Sequence, residues 1–274
     1  MNFNRIFAVI KKDFIDMLRS KHAMVPMIVV PLIFVAVMPA AMLLSTTNMP
    51  DSAFNAKDTE MFVQKFETSS SIFPPGFDQR QKMAYAMIIY FLAPMFLIVP
   101  VMVSSIIAAN SFAGEKEQKT IEGLLYTPVT DIEILVSKIL VSYIPAIAVS
   151  WLAFIVYAGV VNITGYPLFH TIIFPTLTWL LMQIFLIPVI SFTALAVVVA
   201  LSQRAATVWE AQQVSAFTVV PIIGLVLSQT AGVLVFDNTV VLVLTAVLLV
   251  IDAVMLYWMV KTFNREDIVS KYVS

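Results

Sequence analysis

The chain has no cysteine among its 274 residues. Disulfides, thiolate metal sites and cysteine nucleophiles are therefore excluded. Histidine is nearly as scarce: only His22 and His170 occur, too few for a histidine-rich metal site. Charged residues make up 12% of the chain, against about 25% in soluble domains. The net charge of -1 leaves no electrostatic footprint for nucleic acid. None of the seven glycines is followed by lysine, so G-x-x-x-x-G-K-[ST] is missing. The chain thus lacks a recognisable nucleotide-binding loop, and any ATP driving it has to be bound by another chain. H-E-x-x-H, G-x-S-x-G and paired intramembrane carboxylates are missing too, so no enzyme is expected.

Apolar surface is what the chain has in abundance, with 60% hydrophobic residues. Runs of the roughly 20 residues that cross a bilayer fall at 23–45, 84–109, 139–162, 171–200, 214–235 and 239–260. They predict an all-α polytopic membrane protein with six transmembrane helices, a single domain over 1–274. The fourth run is long for one crossing, and Pro175 and Pro188 offer points for a kink. Only Phe236-Asp237-Asn238 separates the last two, which predicts a tight hairpin or a re-entrant 225–236. With a cytoplasmic N-terminus, only Lys57, Lys65, Arg80 and Lys82 of the 16 basic residues lie outside. The positive-inside rule then places both termini in the cytoplasm, as expected for a multi-pass protein of the cell membrane. The first run is too long for a signal-peptide core and follows a 22-residue amphipathic segment, so it reads as a span.

In that N-terminal segment Phe3, Ile6, Phe7, Ile10, Phe14 and Leu18 recur at helical spacing, while Arg5, Lys12, Asp16 and Arg19 take other faces. A basic amphipathic helix over 1–22 is expected to lie in the cytoplasmic interface. Residues 46–82 form the only sizeable outside segment, with a short amphipathic helix expected over Asp58–Phe66. Between the second and third runs, 110–138 is the richest polar stretch. Gly114 is expected to loosen the helix there. Glu115 to Tyr126 then has helix-forming composition, with Ile121, Leu124 and Leu125 on one side and two acids, Glu115 and Glu117, in its first turn. Thr127-Pro128 stops it, and Thr130-Asp131-Ile132-Glu133 is a capping box that starts the next helix.

Inside the spans Asp252 is the only acid well within an apolar run. An intramembrane carboxylate is a functional-site hypothesis by default, here a proton or cation contact, against a structural polar anchor. Ser104, Ser105 and Asn110 approach the inner end of the second run, either lining a cavity or bonding helix to helix.

The run F-A-G-E-K-E-x-K-T-x-E-x-L-L-x-T-P-V resembles the ABC-2 permease family, more narrowly its sodium-efflux-type branch. Here it is carried by Phe112, Ala113, Gly114, Glu115, Lys116, Glu117, Lys119, Thr120, Glu122, Leu124, Leu125, Thr127, Pro128 and Val129. Six spans, inside termini and the N-terminal amphipathic helix agree with it. The resemblance implies a transmembrane half of an exporter, two permease copies pairing with two cytoplasmic ATPases that bind ATP and Mg. It implies that the short cytoplasmic helix between spans two and three is a coupling helix seated in the ATPase. Leu124 and Leu125 are then its buried anchors and Glu115, Glu117 and Glu122 its rim charges, with the N-terminal helix braced against it. Two other classes stay open on the residues alone: an ATP-independent channel or secondary transporter with Asp252 on the path, and a non-transporting membrane scaffold.

Overall fold

The computed structural model describes residues 3–50, 61, 63–64, 73–117, 129–202 and 207–262. Among these, all regular structure is helical. An N-terminal helix, Phe3–Arg19, precedes six helices long and apolar enough to cross a membrane. Spans one to six are Met24–Asn48, Gln79–Gly114, Asp131–Phe169, Leu177–Leu201, Val208–Thr230 and Asn238–Lys261. The chain is an all-α polytopic membrane protein.

Span two is the hub. Its most apolar stretch is 72% buried, against 17%, 12% and 17% for spans one, five and six. Three spans carry a π-helical turn: Ile33–Val37, Ala86–Phe91 and Met182–Leu186. Each precedes a proline (Pro39, Pro94, Pro188), and each contains the carbonyl four residues before that ring. Proline withholds the N–H that carbonyl needs and crowds it. Widening by one residue relieves the crowding without ending the helix.

Two carbonyls of the π turn in span two accept side-chain hydrogen bonds from neighbouring spans. Tyr157 Oη of span three donates to the Ile88 carbonyl at 2.7 Å, and Trp179 Nε1 of span four donates to the Ile89 carbonyl at 2.8 Å. The two rings stack 4.6 Å apart, and the edges of Phe96 and Phe174 close around them. Spans two, three and four are thereby pinned in one core layer.

Several boundaries differ from the sequence reading. Span three runs on to Phe169, and residues 172–176 are irregular, so 171–200 is not one helix. Asn162 compensates the irregular backbone: its Nδ2 donates to the Phe174 carbonyl at 2.7 Å, and its Oδ1 accepts from the Ile173 and Phe174 amides at 3.2 Å. Pro175 lies before span four, so only Pro188 distorts it. Span five ends at Thr230, and the turn to span six covers 231–237 rather than three residues. Span five is itself interrupted by a 3₁₀ turn at Ala216–Val219 just before Pro221. Span two's helix also runs unbroken through Gly114 to Glu117. A lone glycine costs a helix only about 1 kcal/mol, and here Val208 packs against it, 3.6 Å from where a Cβ would stand. The expected Asp58–Phe66 helix lies largely outside the described residues.

Candidate functional site

The polar stretch after span two begins as a continuation of that span. Glu115 and Lys116 extend its helix, and Glu117 is exposed at its end. The Glu117 carboxylate accepts the Val208 amide at 2.9 Å, so it caps the first turn of span five. An acid suits that place, where unpaired N–H groups and the helix dipole both favour negative charge. Lys119, Thr120, Glu122, Leu124, Leu125, Thr127 and Pro128 lie outside the described residues. On the far side, the capping box forms as expected. Thr130 Oγ1 accepts from the Glu133 amide at 3.3 Å, and Glu133 Oε2 accepts from the Thr130 amide at 3.1 Å.

Between these two ends lies a cluster that the sequence pattern did not single out. Ser111 Oγ of span two donates to Asp13 Oδ2 of the N-terminal helix at 2.7 Å. Lys138 of span three brings its Nζ to 3.8 Å from the same carboxylate oxygen. It donates to the Ser111 carbonyl and, at 3.4 Å, to Ser111 Oγ. The Phe112 ring stands over that ammonium, 5.1 Å from centroid to nitrogen, a cation–π arrangement. The Asp13 and Lys138 side chains are 4% and 3% exposed. One buried ion pair therefore ties three chain segments together, and two of them flank 118–128.

Helix geometry explains how an acid comes to be inside. Positions 6, 10, 13 and 17 share one stripe of the N-terminal helix, and Ile6, Asp13 and Met17 are buried there. Met17 and Ile10 pack on Val103 and Ile107 of span two and Val141 of span three. The neighbouring stripe of Phe3, Phe7, Phe14 and Leu18 is exposed, free for an acyl boundary. The apolar face read from the sequence is therefore two faces, one for protein and one for surroundings. Asp13 was legible in principle, because it is the only charge on the inward stripe.

The four candidate pathway residues do not come together. Ser104 Oγ donates to the Val101 carbonyl at 3.1 Å, and Asn110 Nδ2 to the Ile106 carbonyl at 2.8 Å, both within span two. Ser105 is buried, its hydroxyl without a hydrogen-bond partner among the described residues. Asp252 is elsewhere, 7% exposed in span six, where Thr193 Oγ1 of span four donates to its Oδ1 at 2.7 Å. Beside that pair, spans two, four, five and six enclose a half-open crevice of about 350 Å³. Its walls are apolar except for Thr193 and Thr218, and none of Ser104, Ser105, Asn110 and Asp252 lines it. Among the described residues no group of three or more His, Cys, Asp or Glu is placed to hold a metal.

A family model described as ABC-2 family transporter protein matches residues 7–266. No curated protein and no solved structure matches the chain significantly. The match begins inside the N-terminal helix, takes in all six spans and ends past the last of them. With the whole membrane domain and both ends of the polar segment covered, the chain belongs to the ABC-2 family of transporter proteins.

Proposed function

We propose that this chain is the permease subunit of an ATP-driven exporter, with ATP and Mg bound on separate cytoplasmic ATPase subunits. It has no P-loop of its own, so the energy enters through a protein contact. In this reading the contact is the coupling segment around 118–128, with Leu124 and Leu125 as anchors. A second permease copy completes the exporter, and both termini face the cytoplasm of a cell whose plasma membrane it spans.

One observation carries the reading. The Asp13–Ser111–Lys138 cluster fixes the N-terminal helix to both chain ends that flank 118–128. A push on that segment reaches spans two and three directly, and reaches span five through Glu117. A displacement travels through packed, hydrogen-bonded elements only where they are held as a unit.

The test is co-purification of the chain with a co-expressed ABC ATPase from the same genome. Leu124→Asp combined with Leu125→Asp is expected to abolish co-purification while the permease still inserts in the membrane. Undiminished recovery of the ATPase with the double variant overturns the coupling assignment.

A further inference from the structure

Asp252 is a carboxylate inside a membrane span with a single hydroxyl partner, Thr193. Among the described residues no basic side chain forms an ion pair with it. A charge taken out of water is normally paired, because nothing in hydrocarbon replaces its hydration. Thr193, which donates to Asp252, lines the crevice, while Asp252 itself is not among its lining residues, so the carboxylate stands one hydrogen bond away from that space.

The crevice defines what can bring a counter-charge. At about 350 Å³ it falls in the range of about 300–1,000 Å³ typical of small-molecule sites. Its lining offers two threonine hydroxyls and otherwise aliphatic and aromatic carbon. A bare or hydrated metal ion needs several oxygen ligands, which these walls do not supply. An uncharged apolar molecule would leave Asp252 without a counter-charge. An anion would be repelled by it. Phe217 and Thr218 of its wall belong to the 3₁₀ interruption of span five, and Pro221 follows just after it. Short 3₁₀ stretches inside a helix are common hinge points, and Pro221 removes a ladder hydrogen bond there.

We propose that the crevice between spans two, four, five and six binds a lipophilic monocation, its apolar body in the cavity and its charge toward the Thr193–Asp252 pair. The inference rests on the permease reading only for calling such a cation cargo; binding itself does not need an ATPase.

The experiment uses the full chain alone in nanodiscs of zwitterionic lipid, with neither ATPase nor nucleotide. It compares tetraphenylphosphonium with tetraphenylborate, ions of the same shape and opposite charge, each corrected for uptake by empty nanodiscs. Saturable binding of the phosphonium, and none of the borate, is expected. Asp252→Asn is expected to weaken phosphonium binding at least tenfold, while Asp252→Glu retains it. Ile190→Trp and Leu248→Trp fill the crevice from spans four and six with Asp252 intact, and each is expected to abolish saturable binding. Leu249→Trp, which is 53% exposed outside the crevice, leaves it unchanged. Equal binding of both ions, full binding by Asp252→Asn, or full binding by the two filled variants overturns the proposal. Because no ATPase is present, that result stands apart from the co-purification test.

Discussion

Asp13 and Lys138 are nearly sealed from solvent and pair with each other, while the half-exposed Lys12 reaches the other Asp13 oxygen at 3.3 Å. Burying such a pair costs several kcal/mol per ion, which the attraction and added hydrogen bonds roughly repay. Removing one partner leaves a buried charge alone, at a cost of about 3–5 kcal/mol. Asp13→Leu is therefore expected to destabilise the chain by about that amount in a denaturation series in mixed micelles. Asp13→Leu with Lys138→Met is expected to be no less stable than wild type, because two apolar groups replace two charges. A neutral effect of Asp13→Leu alone would sink the account of the pair as a mutual dependence. The sequence hid this pair for a physical reason. Asp13 sits 98 positions from Ser111, and periodicity reports faces of one helix, not what another helix sets against them. Asp252 was visible because a lone acid in an apolar run stands out against its neighbours. Its partner Thr193 was not, since a threonine in a span usually bonds its own helix, as Thr193 also does through the Val189 carbonyl at 3.1 Å.

At the scale of elements, the spans were legible and their irregularities were not. Twenty apolar residues signal a crossing whatever the neighbours do. Whether a proline ends, kinks or widens a helix depends on how its surroundings satisfy the backbone nearby. Pro94 is tolerated in the most buried span, whose π turn hands two carbonyls to Tyr157 and Trp179. Pro175 instead lies before span four, beyond backbone held by the Asn162 side chain. Gly114 gives a sharp test of the same kind. Read alone, glycine before a charged run suggests a break, and a residue forced to left-handed φ would make alanine costly. In the helix that continues to Glu117, an added Cβ meets Val208 at an ordinary 3.6 Å. Gly114→Ala is expected to raise stability by up to about 1 kcal/mol through helix propensity, measured by the same denaturation series. A loss of similar size would mean that the helix does break there.

For the whole molecule, hydrogen bonds and ion pairs between span ends sort into two sets among the described residues. At one end, Asp13, Ser111 and Lys138 join the N-terminal helix, the end of span two and the start of span three, and Glu117 adds the start of span five. At the other, Arg80 Nη2 donates to the Met49 carbonyl at 2.7 Å and Gln81 Nε2 to the Leu168 carbonyl at 2.9 Å. Thr178 Oγ1 donates to Asn238 Oδ1 at 2.7 Å on that same end, joining the starts of spans four and six. This is an alternating antiparallel bundle with the N-terminal helix and the end of span six on one side. We propose from charge which side faces the cytoplasm. The first end carries Arg5, Lys11, Lys12, Arg19, Lys21, Lys116, Lys138 and Lys261, and the second Arg80 and Lys82 among the described residues. Basic residues near span ends stay on the cytoplasmic side. With no native cysteine, single cysteines report orientation without background. Met49→Cys, beyond the end of span one and 44% exposed, is expected to react with a membrane-impermeant maleimide on intact cells. Arg5→Cys and Lys261→Cys are expected to react only after permeabilisation. Labelling of Arg5→Cys on intact cells would invert the molecule, put 118–128 outside, and remove any route from a cytoplasmic ATPase to the Asp13–Lys138 cluster.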